Sequence, residues 1–505
     1  MKRLLIFCLG ALVSFSTFAM GFEADGMLFS VMPDDPQGVV LSQGPFVEEP
    51  CNVTIPDEVV YNDVAYKVKG VASYAFYMAS IDTLTIGKNV AFIAGEAFPI
   101  ATLRHINVNQ ENPAFVSQDG ALYTSGFASL VLYPNMKEDK LLTLPSSTTE
   151  ILAGACGDCR SLEKVVLPEG RRVIGDRAFD GAVNLSELNL PSTLEDVGFN
   201  VFDWSSPWYK ALPDGPIYCG NHVLWLYKGT PEGGIIDVAD DCLAIATGFR
   251  FSGKVNTMHI PESVTKIGMV CYNNLKDFDV AIDNSTYCSV DGVLLNKDGS
   301  RLERFPCGRD GEYVAPQGVR TIGTHAFAEA SSLTRITLPE GVESIEDHAF
   351  YYCSGLERID LPATLTHIGE SAFEIVTAVP LVGAPKKAYN DGSYCLGDVY
   401  CRATVLPEAA RNAFNCDNLF ESKLYVPVGA AEAYRAAAPW NEFGEIIEID
   451  FADVNGDGVV SGADVTALYN DLLDGTEVEG ISDINGDGIV SGADVTALYN
   501  LLLGQ

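Results

Sequence analysis

The sequence predicts a right-handed solenoid of 23-residue coils, with a parallel β-sheet along one side and hairpin inserts, followed by a small α-helical module. Three observations carry this. Between residues 67 and 376 one apolar pattern recurs, with Phe327, Phe350 and Phe373 marking a period of 23. The interruptions of that pattern resemble one another and place Asp-Gly between alternating apolar runs. The chain then closes on one sentence written twice, "DVNGDGVVSGADVTALYN" from Asp453 and "DINGDGIVSGADVTALYN" from Asp483, thirty residues apart.

Bulk composition narrows the setting. The 505 residues include 68 acidic and 32 basic side chains, a net charge of −36. Phosphate backbones and anionic lipid surfaces are recognised by basic patches, so a nucleic-acid partner is not expected. The acidity fits either a cation-rich extracellular setting or solubility alone. The N-terminus, "MKRLLIFCLGALVSFSTFAMGF", reads as a signal peptide over residues 1–19. Lys2 and Arg3 form the positive start, Leu4 to Phe18 the apolar stretch, and Thr17 with Ala19 the small-residue cleavage pattern. It is too short to span a bilayer, and no other stretch is apolar enough for a transmembrane segment. The mature chain is therefore expected to be secreted or held at the cell surface. Of 13 cysteines, Cys8 leaves with the signal peptide. The remainder is not dense enough to imply a disulfide framework.

The elements follow in order. Residues 22–66, including "GMLFSVMPDDPQGVVLSQ", alternate as an N-terminal β cap should. In the coils, "IGTHAFAEASSLTRITLPEGVES" from Ile322 aligns with "IEDHAFYYCSGLERIDLPATLTH" from Ile345. Leu333, Ile336 and Leu338 point into a core, and Pro339 stops the strand because it has no N–H to donate. One coil cannot bury its apolar edge alone, so neighbours must stack. The same register holds at Cys156, Phe179 and Phe202, at Phe249 and Tyr272, and, at a spacing of 22, at Phe76 and Phe98, for about ten coils. The inserts begin at Asn112, Asn284 and Gly215, and their Asp-Gly or Gly-Asn turns signal hairpins. Residues 377–449 read as a C-terminal cap of strand, Ala-rich helix and strand, with Tyr434, Trp440 and Phe443 over the open end of the core.

The pattern carried by "IEDHAFYYCSGLERIDLP" at Ile345–Pro362 resembles the BspA-like leucine-rich repeat family. The resemblance covers roughly residues 67–376 and implies a leucine-rich-repeat solenoid that binds a macromolecule. In register, Cys156 takes the Phe slot and Cys159 that of Cys353, so "CGDC" is expected to be core thiols rather than a redox or zinc C-x-x-C. His325 and His348 share one slot in successive coils, which reads as repetition and not as a metal pair. No nucleophile, metalloprotease or phosphate-loop motif is present, so no catalytic residue is assigned. Outward strand positions (Thr83/Thr85, His105/Asn107, Lys164/Val166, Glu187/Asn189, Thr257/His259, Arg335/Thr337, Arg358/Asp360) give a mixed polar face with no aromatic stripe. Such a face suits a protein ligand, or is simply solvated.

The doubled tail has the spacing of a calcium loop of EF-hand type. In the first copy Asp453, Asn455 and Asp457 stand at positions 1, 3 and 5, Gly458 at 6, Val459 (by its main-chain carbonyl) at 7, Ser461 at 9 and Asp464 at 12. In the second copy the same positions hold Asp483, Asn485, Asp487, Gly488, Ile489, Ser491 and Asp494. A hard cation wants six to eight oxygens, and this spacing wraps them around it. Each loop is followed, not preceded, by a helix, and position 12 is Asp instead of Glu. Two such loop–helix units resemble the type I dockerin over residues 450–505. That resemblance implies two Ca2+ ions and calcium-dependent docking to a cohesin-like scaffold protein. It also implies contacts from positions 10, 11, 17 and 18, which here are Gly462, Ala463, Tyr469, Asn470 and Gly492, Ala493, Tyr499, Asn500. The two sets are identical, so either copy could present the same face. A calcium-stabilised module without a partner is the other reading.

The expected function is a secreted or cell-surface, non-catalytic binding protein. The solenoid would take a macromolecule, with protein the favoured class, and the dockerin would tether it. The alternatives are a component of a polysaccharide-degrading assembly, since dockerins ride on glycoside hydrolases, or an adhesin to host matrix.

Overall fold

The computed structural model describes residues 21–45, 49–77, 79–94, 102–220, 222–251, 254–268, 274–375, 396–416, 418–455, 457, 459–474, 482–487 and 489–504. The predicted signal peptide lies outside them, as do Phe98, Tyr272, Gly458 and Gly488. Two units form. The first contains Met1–Lys228, Leu243–Arg250 and Lys266–Gly268; the second contains Gly229–Cys242, Phe251–Thr265 and Met269–Gln505. The fold is a parallel β-solenoid of about 15 turns at ~23-residue spacing. The Phe series marks fewer turns because strands without a Phe in that slot stack as well, such as Asp35–Gln43 on Val64–Val71.

In the first unit Cys51–Ile55, Ile81–Ile86 and His105–Val108 pair in parallel. Further along, Leu141–Thr143, Lys164–Val166 and Glu187–Leu188 form one parallel ladder. A second runs through Ser129–Leu132, Glu150–Ile151, Val173–Ile174 and Asp196–Val197. In the second unit six strands pair in parallel: Gly311–Val314, Leu333–Thr337, Arg358–Leu361, Asp398–Cys401, Lys423–Pro427 and Glu445–Ile449. Each coil thus contributes two strands, where the sequence led us to expect one. The added two-residue strands, Thr321–Ile322, Ser344–Ile345 and His367–Ile368, come from the turn after the Pro. There Ile322, Ile345 and Ile368 stand in register and are fully buried.

The inserts are hairpins. Phe115–Gln118 pairs antiparallel with Ala121–Thr124 across Asp119-Gly120, and Tyr287–Val290 with Val293–Asn296 across Asp291-Gly292. Both turn pairs have positive φ (51° and 76°, 47° and 71°), the two-residue turn that matches strand twist. Gly215–Cys219 and Val223–Lys228 form the third hairpin.

The Phe slot organises the core. The rings of Phe305, Phe327, Phe350, Phe373 and Phe414 stack in one column with centroids 5.1, 4.9, 4.8 and 5.2 Å apart. Phe179 and Phe202 stack in the first unit at 5.6 Å. The residue two before the slot is left-handed in coil after coil, with φ between 49° and 66° at Tyr74, Gly154, Arg177, Asn200, His325, His348 and Ser371. This is why His can recur there: the slot demands a left-handed corner, which His adopts more readily than β-branched residues do. Cys156 and Cys159 are buried as expected, with the Cys159 thiol 3.7 Å from the Tyr133 carbonyl oxygen. At the end of the second unit Lys423–Pro427, the helix Ala431–Ala436 and Glu445–Ile449 bury Tyr434, Trp440 and Phe443.

Two outcomes follow. Phe350→Ala opens a void between two stacked rings and should cost about 3–5 kcal/mol, read from the denaturant midpoint of the full chain; a loss below about 1 kcal/mol would show that the column is not what joins the coils. The His325 and His348 rings are parallel at 4.9 Å, and burial first, then His348 and Arg304, push the His325 imidazole down from 6.5 to about 4. The unfolded chain binds a proton between those values that the folded chain refuses, so stability should fall as pH drops from 6.5 toward 4. His325→Asn, which tolerates the left-handed corner, should flatten that slope in thermal melts across the window, and an unchanged slope would contradict the assignment.

Candidate functional site: twin acidic loops and the outward sheet face

The C-terminal helices Gly462–Asp474 and Gly492–Leu503 each begin inside a loop. Their shared core is small: Ala452, Val454, Leu468 and Leu498 are buried, with Val465 and Val495 packed against them. Polar closure does the rest. In the first loop Asp464 accepts hydrogen bonds from the backbone N–H of Asn455 at 3.0 Å and of Ser461 at 2.7 Å. The Asp457 N–H donates to Asp453 at 3.2 Å and to the Asn455 side-chain oxygen at 2.8 Å. The Val459 N–H donates to the Asp457 carboxylate at 2.8 Å. The second loop repeats this. Asp494 accepts from Ile484, Asn485 and Ser491, and the Asp487 N–H donates to Asp483 and Asn485. Ser491 caps the second helix, and Asp494 returns the bond as the third helical residue.

Asp at position 12 is therefore two things at once, a loop closure and a helix cap. Asp464 and Asp494 are fully buried. Burial pushes the Asp464 carboxyl up, but the backbone donors of Asn455 and Ser461 outweigh it and hold it below the usual carboxylate range. It stays ionised where a cation needs it. The carboxylate oxygens of Asp483, Asp487 and Asp494 all lie within 4.8 Å of one another. Residues 450–505 hold eleven acidic side chains and no Lys, Arg or His, so no neighbour within the module neutralises them. Three converging hard oxygens in a module with no basic residue fit a divalent cation, calcium above all. Asp453, Asn455, Asp457, Ser461 and Asp464, with the Val459 carbonyl, would hold one ion. Asp483, Asn485, Asp487, Ser491 and Asp494, with the Ile489 carbonyl, would hold the other.

Gly462, Ala463, Tyr469 and Asn470, and their copies Gly492, Ala493, Tyr499 and Asn500, are all exposed, the two Tyr rings at 55% each. One turn further, Leu473 and Leu503 are exposed as well, at 68% and 55%. Sequence reasoning passed over these leucines, though four-residue spacing from each Tyr was the available signal.

The outward face of the six-stranded sheet differs from expectation. Arg335 and Arg358 stand in register, as do Thr337, Asp360 and Tyr400. Yet Asp360 is only 6% exposed, because Arg335 and Arg358 close over it with Nε–O distances of 3.2 and 2.9 Å. The Arg358 guanidinium lies 3.7 Å above the Tyr400 ring, which stacks on Tyr425 at 4.3 Å. The face thus does carry aromatics. They were missed because the 23-residue spacing breaks before them. On the strands Ile235–Asp237, Thr257–Ile260 and Asp277–Val280, His259 sits between Asp237 at 2.6 Å and Asp279 at 3.5 Å.

Residues 59–138, 133–212 and 310–423 match the BspA type leucine rich repeat region, in six copies. The chain belongs to the BspA-type leucine-rich repeat family. Behind the BspA-type repeats, residues 451–503 match the dockerin type I domain. Both are non-catalytic module types, and dockerin type I domains bind calcium and imply a cohesin partner. Solved structures similar to this chain include three bacterial proteins. A leucine rich cell surface protein from Faecalibacterium prausnitzii is 19% identical, covering 90% of this chain and 98% of its own, with a TM-score of 0.35. A leucine-rich repeat protein from Eubacterium ventriosum is 20% identical over 67% of this chain and 83% of its own, TM-score 0.36. The pneumococcal vaccine antigen PcpA is 18% identical over 85% and 99%, TM-score 0.27. No curated protein matches the chain. Among the described residues no helix is long and apolar enough to cross a membrane.

A core this small is expected to leave the helices dependent on a bound cation. Chelator should remove helical circular dichroism from the full chain. Asp494→Ala, which deletes closure and cap together, should lower the calcium bound by the full chain; uptake equal to wild type would show that position 12 is not a ligand.

Proposed function

We propose that this protein is an exported, non-catalytic adaptor. Its BspA-type solenoid binds a protein ligand, and its dockerin, loaded with two calcium ions, attaches to a cohesin-type partner. The observation that carries the reading is the duplicated exposed face. Tyr469 with Asn470 and Tyr499 with Asn500 project from helices whose first turns are closed by Asp464 and Asp494. Removing the ion would release the loop that orients each face, and so make attachment calcium-dependent. The face carries no charge in either copy. Its partner surface should therefore be apolar and polar-neutral, with binding that depends weakly on salt.

For the solenoid, the support is the outward face of the second unit, where Arg335, Arg358, Tyr400 and Tyr425 gather. Arg and Tyr are the residue types that anchor protein interfaces, because they supply area and directed hydrogen bonds with little entropy to lose. These residue types support a protein ligand for the solenoid.

The test is capture of a cohesin-bearing protein from the same organism by the full chain, with calcium and with chelator. Equivalent faces make Tyr469→Ala and Tyr499→Ala nearly silent one at a time, within about 2-fold, whereas both together should weaken capture on the order of 30-fold or more. Unchanged capture by the double variant, or by wild type in chelator, would refute the assigned face.

A further inference from the structure

The two calcium loops are almost the same sequence. Over residues 453–464 and 483–494 they differ only by Val454 against Ile484 and Val459 against Ile489, neither of which offers a side-chain ligand. In isolation they should bind with nearly equal strength. Among the described residues, their surroundings within the second unit are not equal. The Glu340 backbone N–H donates to the Gly486 carbonyl at 2.9 Å, and the Gln317 side-chain amide donates to the Asp487 carbonyl at 3.2 Å.

Gln317 and Glu340 are one repeat apart and occupy the same slot, after the Pro of "APQGV" and of "LPEGV". Two successive solenoid turns therefore hold the second loop by the carbonyls of its fourth and fifth residues. Those carbonyls are not among the ligand positions of such a loop, so the contact leaves the ion's oxygens alone. Fit is close: a Cβ added at Gly486 would lie 2.7 Å from the Glu340 Cγ, and Gly486 has a φ of +71°. The Glu340 carboxylate is in turn fixed by the Ala363 N–H at 2.8 Å. Burial follows the contact. In the second loop Asp483 and Gly486 are buried and Asn485 and Asp487 half-buried, while Asn455 and Asp457 of the first are exposed.

We infer that the solenoid acts as a seat for the second dockerin loop and makes the two calcium sites unequal. The site of Asp483, Asp487 and Asp494 binds the ion more tightly and loads first. This rests on the calcium reading proposed above. The physical reason is organisation. An ion must otherwise meet the entropy cost of gathering a loose acidic loop, and here two solenoid turns already fix its backbone and thin its water. The Glu340 carboxylate beside Gly486 adds negative potential that favours a bound cation. Linkage makes the effect reciprocal, so the ion in the second loop also strengthens the seat.

The test uses the full chain and calcium alone. One variant disables the first loop (Asp453→Ala with Asp457→Ala), the other the second (Asp483→Ala with Asp487→Ala), and each is titrated with calcium. The chain that keeps its second loop should bind on the order of 10-fold more tightly. Gln317→Ala with Glu340→Pro removes both seat donors without touching the loop and should bring the two within about 2-fold. Hydrogen exchange supplies a readout that needs no seat variant: the Glu340 amide should become protected when calcium is added to wild type. Equal affinities, a gap that survives loss of the seat, or a Glu340 amide indifferent to calcium would overturn the inference while leaving the calcium sites standing. No uptake by either variant would overturn the calcium assignment itself, and this inference with it.

Discussion

The column of stacked rings from Phe305 through Phe327, Phe350 and Phe373 to Phe414 is the contact on which the second unit depends. A coil has no core of its own; its apolar edge is covered only by the coil before and the coil after. Coil length is fixed by that need. A ring can meet its neighbour at about 5 Å only if each turn advances by one strand spacing and returns to the same corner. The left-handed residues His325, His348 and Ser371, two before Phe327, Phe350 and Phe373, make that corner. Where the stack ends, something else must supply the next ring. Trp440 and Phe443 do so, each 5.1 Å from Phe414. Their own polar needs are met inside the cap: the Trp440 indole N–H donates to the Pro407 carbonyl and the Tyr434 hydroxyl to that of Ala403.

The C-terminal module is built on the opposite balance. It buries few apolar side chains and gathers many carboxylates with no basic residue among them. Backbone hydrogen bonds to Asp464 and Asp494 hold each loop shut, and the same charges oppose compactness until a cation joins them. A solenoid whose stability grows with each added coil thus carries a terminal module whose stability is conditional. This division suits a protein with a permanent binding face and an attachment that depends on its surroundings.

The outward face and the twin loops also differ in what sets their chemistry. The loops are local: twelve consecutive residues bring every ligand position. The face is assembled across coils. Asp360 is closed over by Arg335 from the coil before and by Arg358 from its own strand, and Arg358 reaches Tyr400 across a long break in the repeat. A mixed, half-exposed row on paper becomes a covered ion pair beside two stacked rings.

By itself the sequence determined whatever recurs at short range. The 23-residue period named the Phe slot and buried its cysteines, the Asp-Gly pairs named the hairpins, and the 1-3-5-12 spacing named both acidic loops. Each of these patterns is enforced within one coil or one loop, so it is written in neighbouring letters. The tertiary structure decided what depends on residues brought together from different turns. Phe305 and Phe414 join the column at irregular spacings of 22 and 41 residues, and Tyr400 and Tyr425 join the outward face, because inserts and breaks move residues in sequence without moving them in the stack. Among the described residues, Gln317 and Glu340 reach the second of two loops alike in sequence, a contact that no pattern in the loops themselves announces. Hydrogen bonds and ring contacts act on distance in space, and in a solenoid the nearest neighbour in space is a full turn away along the chain.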